Sequence, residues 1–325
     1  MDELPAILIQ EIGDPRGIIE DHVPILKKHF SLVTMKELAE KRQHFSEKIR
    51  AVFVWEGKPN IDGNLLKSLP NLKVIASAGA GVDHLPLDMI SGFGVKVTNT
   101  PLVVGKATAD LAMALLLASA RNLKEAIQIA ESPDTQYFYR NRIADGVTGA
   151  TLGIVGMGHI GLKIAQRAKS FEMKILYHNR KQRKEEERAV GATYCAKIEE
   201  LLQQSDFVML VVPLTPDTHK LIGKRELQLM QPTATLINIS RGAVVDQDAL
   251  VEALQNGVIK AAALDVTNPE PLPRDHPLLR MKNVIITPHI GSATHSTCLL
   301  MVQNMIENIL AVLNGQAIPN EVTSN

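Results

Sequence analysis

The chain reads as an α/β protein built on two parallel sheets covered by helices, and three observations predict it. Short apolar runs alternate with helical patterns over most of the length, as parallel strands joined by crossover helices require. The runs separate into two series, and 325 residues at roughly 150 per domain amount to about two domains. Many of the runs are apolar throughout rather than alternating, the mark of strands buried on both faces.

In the first series the strands are expected at Ala6–Ile9, Leu32–Thr34, Ala51–Trp55, Val74–Ala76 and Lys96–Thr98. A long helical stretch follows from Lys106 to about Ala130, and its core, Leu111–Ala120, is the most apolar in the chain. Asp110 and Arg121 bound that core well short of the roughly 20 residues a bilayer span needs, so it is read as a buried helix. Ser132–Asp134 and the aromatic group Tyr137, Phe138 and Tyr139 mark the boundary region. The second series is stronger: Leu152–Val155, Ile175–His178, Phe207–Val212, Thr235–Ile239, Ala261–Val266 and Val284–Thr287. The run Arg180–Arg188 is read as a solvated loop and helix start. The last helix is expected over His295–Asn314, with Met301, Met305, Ile309 and Val312 on one face.

Composition narrows the function. With 45% hydrophobic and 22% charged residues the chain can bury a core. Its 35 basic and 35 acidic residues give zero net charge, and aromatics make up 4%. That argues against a nucleic-acid partner, which wants a basic face and stacking rings, and in favour of a small molecule. Two cysteines, Cys195 and Cys298, fit a reducing compartment. Acids at Asp2 and Glu3 stand where a secretory signal carries positive charge, so a cytoplasmic protein with no membrane partner is expected. No His, Cys and acid cluster has a recognised ligand spacing, and no metal site is expected.

Chemistry enters at Gly156-Met157-Gly158-His159-Ile160-Gly161, a G-x-G-x-x-G turn that follows an apolar strand and opens the helix expected at Leu162–Ser170. In that context the glycines permit a tight turn, a close approach of backbone to pyrophosphate, and close helix packing. A site for NAD places an acid about 20 residues further on, at the end of the second strand. Here Asn179, Arg180 and Lys181 occupy that region. A carboxylate would repel a 2′-phosphate and an arginine can grip one, so NADPH is the preferred cofactor and NADH the alternative.

Three later strand ends carry Ser240-Arg241-Gly242, Asp265-Val266-Thr267-Asn268-Pro269-Glu270-Pro271 and Pro288-His289-Ile290-Gly291. Open α/β sheets bind ligands at such ends. Arg241 can hold a carboxylate with two parallel bonds, His289 can give a proton to a carbonyl oxygen, and Glu270 can hold the imidazole and favour its charged form.

On these segments the chain resembles the D-isomer-specific 2-hydroxyacid dehydrogenase family, together with Ser77–Asp83, Asn99-Thr100-Pro101, Thr108–Ala112 and Val212–Thr215. The resemblance covers nearly the whole chain. It implies two Rossmann-like or flavodoxin-like parallel-sheet domains, the substrate domain discontinuous over 1–104 and 289–325 and the NAD(P)-binding domain over 105–288. It places Arg241, Glu270 and His289 as catalytic residues and brings Gly81 and Val82 to the substrate carboxylate. It lines the cofactor with Thr108, Gly156, Gly158, His159, Ile160, Asn179, Arg180, Lys181, Pro213, Ser240, Asp265 and Gly291. Within the family the chain looks most like the glyoxylate/hydroxypyruvate reductase branch, acting on small 2-keto and 2-hydroxy acids. A homodimer through the cofactor domain, with Lys106–Ala130 as contact helix, is implied. The alternatives are a 2-ketogluconate reductase, a non-catalytic NAD(P)(H)-sensing protein on the same fold, and, as the least favoured, a methyltransferase using a glycine-rich turn.

Overall fold

The structure, a computed structural model, describes residues 4–13, 17–133 and 143–323. The chain divides into two units, residues 1–104 with 292–325, and residues 105–291. The second unit ends three residues beyond the boundary at 288 expected from the sequence. The reason is local, because the amides of His289, Ile290 and Gly291 are all bonded to Asp265 of the second unit. Tyr137, Phe138 and Tyr139 of the expected boundary region lie outside the described residues.

In the first unit β1 (Ala6–Ile9), β2 (Ser31–Thr34), β3 (Ile49–Val54), β4 (Val74–Ser77) and β5 (Lys96–Thr98) are joined by α1 (Val23–Lys27), α2 (Met35–Glu40), α3 (Arg42–Phe45), α4 (Gly63–Ser68) and α5 (Leu87–Gly92). The helix starts follow local chemistry: Thr34 and Glu37 form a reciprocal capping box on α2, and the Asp62 carboxylate caps α4.

In the second unit α6 (Gly105–Ala120) and α7 (Leu123–Glu131) precede β6 (Thr151–Val155), α8 (His159–Ser170), β7 (Lys174–His178), α9 (Lys184–Val190) and β8 (Thr193–Tyr194). There follow α10 (Ile198–Gln204), β9 (Phe207–Leu210), α11 (Lys224–Leu229), β10 (Thr235–Asn238), α12 (Gln247–Gln255), β11 (Ala261–Leu264), α13 (Pro277–Arg280) and β12 (Val284–Ile286). The chain then returns to the first unit as α14 (His295–Leu313) and the short β13 (Glu321–Val322).

The first sheet has the order β13-β5-β4-β3-β1-β2 and is parallel except for β13. By length and composition α14 could cross a bilayer, but here it packs on β3, β4 and β5. Its Asn308, fully buried, donates to the Asn99 carbonyl and accepts from Asn320, tying the returning helix to the end of β5. The second sheet is wholly parallel in the order β12-β11-β10-β9-β6-β7-β8. Its direction of winding reverses between β6 and β9, the position at which such sheets open a ligand crevice.

Several elements differ from the sequence reading. The single helix expected to about Ala130 is two, because Asn122 takes a left-handed conformation with φ 51° and ends the first. The helix expected from Leu162 begins at His159, since the Leu162 amide already bonds to the Gly158 carbonyl. Four strands of the second sheet end one or two residues early, and Val211, Ile239, Asp265 and Thr287 each keep a single ladder bond to a neighbouring strand. Those continuations carry the backbone into the site.

Candidate functional site

The glycine turn lies between β6 and α8, at the point where the sheet reverses. Gly156 has φ 110°, and a Cβ there would stand 2.7 Å from the Val211 carbonyl oxygen. At Gly161 a Cβ would stand 2.1 Å from the Gly156 carbonyl oxygen, so α8 can approach β6 only without a side chain at that position. Nothing lies within 4 Å of the Cβ position at Gly158, which leaves the backbone open to a ligand at the start of a 12-residue helix. Unpaired amides and the helix dipole there suit a pyrophosphate, so the residues present fit a dinucleotide. His159 lies against Gly105, where a Cβ would come within 2.5 Å of its ring.

The turn is braced from β7. The Asn179 side-chain oxygen accepts from the Met157 amide at 2.7 Å, so this side chain is already committed to the turn. Arg180 and Lys181 beside it are exposed and, among the described residues, form no ion pair. Thr108 on α6 comes close to Gly291, and both lie near Asp265; Pro213 is exposed.

At the ends of β10, β11 and β12 the structure brings Arg241, Glu270 and His289 into one electrostatic cluster. His289 Nδ1 lies 3.0 Å from Glu270 Oε2. The other carboxylate oxygen, Oε1, accepts from the Thr267 amide at 3.0 Å, which fixes its plane. With Nδ1 engaged, Nε2 is the ring nitrogen that remains for a substrate. The Glu270 hydrogen bond raises the His289 pKa most; burial and the Arg241 charge oppose it and are outweighed. For Glu270, burial pushes the carboxyl up, and the hydrogen bond and charge of His289 reverse this to hold it below its ordinary value. The pair therefore favours imidazolium beside carboxylate.

Beneath these side chains is a buried polar frame. His289 has φ 55°, a conformation uncommon for a residue with a side chain. Its amide donates to the Asp265 carbonyl at 2.8 Å. The Asp265 carboxylate, 2% exposed, accepts from Thr287 Oγ1 at 2.6 Å, the Ile290 amide at 2.8 Å and the Gly291 amide at 2.9 Å. Asn238, 1% exposed, donates to the Arg241 carbonyl and accepts from the Ser240 amide and hydroxyl. Each donor left unpaired by removal of such a group costs about 1–3 kcal/mol. Asp265 and Ser240, both expected at the cofactor, thus have protein partners that shape the loops. Asn238, Thr267 and Thr287 were not singled out from the sequence. The available signal was a polar residue at the end of an apolar strand.

Gly81 and Val82 belong to the first unit, in the loop after β4. That loop is pinned by Thr100, whose hydroxyl accepts from the Gly79 amide, and by Asn99, whose amide donates to the Ala80 carbonyl.

A glycine turn at a sheet reversal and an acid–base pair on neighbouring strand ends define a dinucleotide-dependent oxidoreductase. Residues 113–291 match the NAD binding domain of the D-isomer specific 2-hydroxyacid dehydrogenases. A glyoxylate reductase of Thermococcus litoralis is 42% identical over 318 residues, with 95% of this chain and 96% of the relative covered. A glyoxylate/hydroxypyruvate reductase B of Enterobacter sp. strain 638 is 40% identical over 299 residues, covering 91% and 92%. Among solved structures, an NADPH-dependent glyoxylate/hydroxypyruvate reductase of Sinorhizobium meliloti, in complex with NADP and malonate, superposes with a TM-score of 0.81 at 30% identity, covering 99% of this chain and 97% of that one. The chain belongs to the D-isomer specific 2-hydroxyacid dehydrogenase family.

Proposed function

We propose that this chain is an NADPH-preferring reductase that converts glyoxylate and hydroxypyruvate to the corresponding 2-hydroxy acids, with D configuration where a stereocentre forms. The observation that carries the proposal is the His289–Glu270 pair, 3.0 Å apart beside Arg241, in a chain so similar to relatives named as glyoxylate reductases. Arg241 binds the substrate carboxylate through its fork of donors. His289, whose charged form Glu270 favours, gives its Nε2 proton to the carbonyl oxygen as negative charge develops there. Glu270 holds the ring in one orientation and stabilises its charge. In the oxidising direction the neutral ring takes the proton back. The cofactor, when bound, supplies the hydride. Gly156, Gly158, His159 and Ile160 hold its pyrophosphate, and Arg180 and Lys181 its 2′-phosphate.

The decisive experiment follows NADPH oxidation against glyoxylate, hydroxypyruvate, pyruvate and 2-ketogluconate. Glyoxylate and hydroxypyruvate are expected to turn over fastest. Preference for 2-ketogluconate would move the assignment to that substrate, and tight NADPH binding without turnover of any of the four would replace it with a cofactor-sensing role. We place the enzyme in the cytoplasm, on its cysteine usage. We also propose a homodimer formed through the second unit, using α7 rather than α6: ten residues of α6 are already buried, whereas α7 exposes Leu123 and Ile127. Light scattering that returned the monomer mass of 35.6 kDa would refute the dimer.

A further inference from the structure

The proposed 2′-phosphate site rests on a loop of five residues, Asn179 to Arg183, between β7 and α9. Exposed loops of this kind are usually mobile and must be ordered when a ligand binds. This one is held at both ends by tyrosine hydroxyls. Tyr194 on β8 donates to the Asn179 carbonyl at 3.0 Å, and the Arg183 amide donates to Tyr177 Oη on β7 at 2.9 Å. The two tyrosines are register partners on adjacent strands, with ring centroids 5.3 Å apart.

The clamp has a third point. Tyr177 donates its own proton to Glu187 Oε2 at 2.9 Å, and the same oxygen accepts from the Gln182 side-chain amide at 2.9 Å. Tyr177 is fully buried, and burial pushes its hydroxyl up to about 12, so it stays protonated and the donation to Glu187 persists across the working pH range. The loop's first residue, Asn179, is in turn bonded to Met157 of the glycine turn. Backbone and side-chain bonds therefore fix the loop at residues 179, 182 and 183, while Arg180 and Lys181, between the fixed points, remain exposed with no ion pair among the described residues.

We infer that Tyr177 and Tyr194 are positioning residues for cofactor choice: their hydroxyls hold the 179–183 loop so that Arg180 and Lys181 meet a 2′-phosphate without first being ordered. This rests on the NADPH preference proposed above. It separates two parts of that preference, the charges that attract the phosphate and the neutral clamp that presents them. A preformed loop lowers the ordering cost of binding only for a ligand that uses the loop, so losing the clamp should weaken NADPH more than NADH.

The test measures dissociation constants of NADPH and NADH by calorimetry for the wild type, Tyr177→Phe, Tyr194→Phe and the double variant. Each substitution removes one hydroxyl and keeps the ring. The ratio of the NADH to the NADPH constant is expected to fall about tenfold in the double variant, as part of the lost bonding is returned as loop-ordering cost. Equal weakening of both cofactors, or an unchanged ratio in a wild type that prefers NADPH, overturns the clamp and leaves the proposed cofactor intact. A wild type that binds NADH as tightly as NADPH overturns both. Thermal melting of each variant checks that the fold persists, and 2′,5′-ADP against 5′-AMP repeats the comparison on the phosphate alone.

Discussion

At the ends of β10, β11 and β12 the side chains assigned to chemistry stand on a frame of buried polar groups, whereas at the end of β7 the basic side chains project from a short exposed loop. Asn238 and Asp265 are almost wholly enclosed, and between them they accept or donate six hydrogen bonds to the loops that present Arg241 and His289. Arg180 and Lys181 are held through the residues that flank them, by tyrosine hydroxyls at Asn179 and Arg183 and by the bond of the Gln182 side chain to Glu187. The difference fits the tasks proposed for the two regions. Proton donation depends on distance and angle, and a misplacement of 1 Å can cost about a hundredfold in rate. Attraction of a phosphate falls off slowly with distance and tolerates flexible side chains.

The contrast can be broken first at the rigid end. His289→Asn keeps a polar side chain but cannot supply the proton, and kcat for glyoxylate reduction should fall by about 10²–10⁴. A near-normal kcat in a steady-state assay would remove His289 from that role. At the flexible end, Arg180→Ala with Lys181→Ala deletes two charge-assisted contacts. It should lower the NADPH over NADH preference in kcat/KM by about ten- to a hundredfold while leaving kcat near its original value. A large fall in kcat would show that the two ends are coupled more closely than their construction suggests.

The smallest effect, and the sharpest, concerns the pair itself. Because Glu270 raises the His289 pKa, reduction should be fully active below that raised value and be lost as pH rises through it. On the acid side, activity should be lost as pH falls through the lowered Glu270 value. Glu270→Gln removes the negative charge, so the alkaline limb of the kcat/KM profile should move to lower pH. An unmoved limb would mean that another group sets it.

Much of this was legible in the sequence. Strands buried on both faces have to be apolar throughout, so Ala6–Ile9 was placed to the residue. The glycine turn was readable because only glycine fits at Gly161, where a Cβ would stand 2.1 Å from the Gly156 carbonyl oxygen. Arg241, Glu270 and His289 were readable because each follows an apolar strand, where a parallel sheet presents its ligands. By contrast β8 and β13 have two residues each, too few to show a period, and they exist as strands only through the neighbours they pair with. The break at Asn122 interrupts an otherwise helical pattern at a residue that tolerates the left-handed conformation without demanding it.

The sequence by itself determined which residues carry charge or a transferable proton and on which strand ends they fall, because apolar periodicity and glycine spacing are local properties of the chain. Only the tertiary structure decided what holds them. Asp265 accepts from a hydroxyl 22 residues away and from two amides further along the chain, Tyr194 reaches the Asn179 carbonyl only because β8 pairs with β7 in that register, and Asn308 meets Asn99 across 209 residues. These are distances in space between residues far apart in sequence, and a hydrogen bond is set by the former.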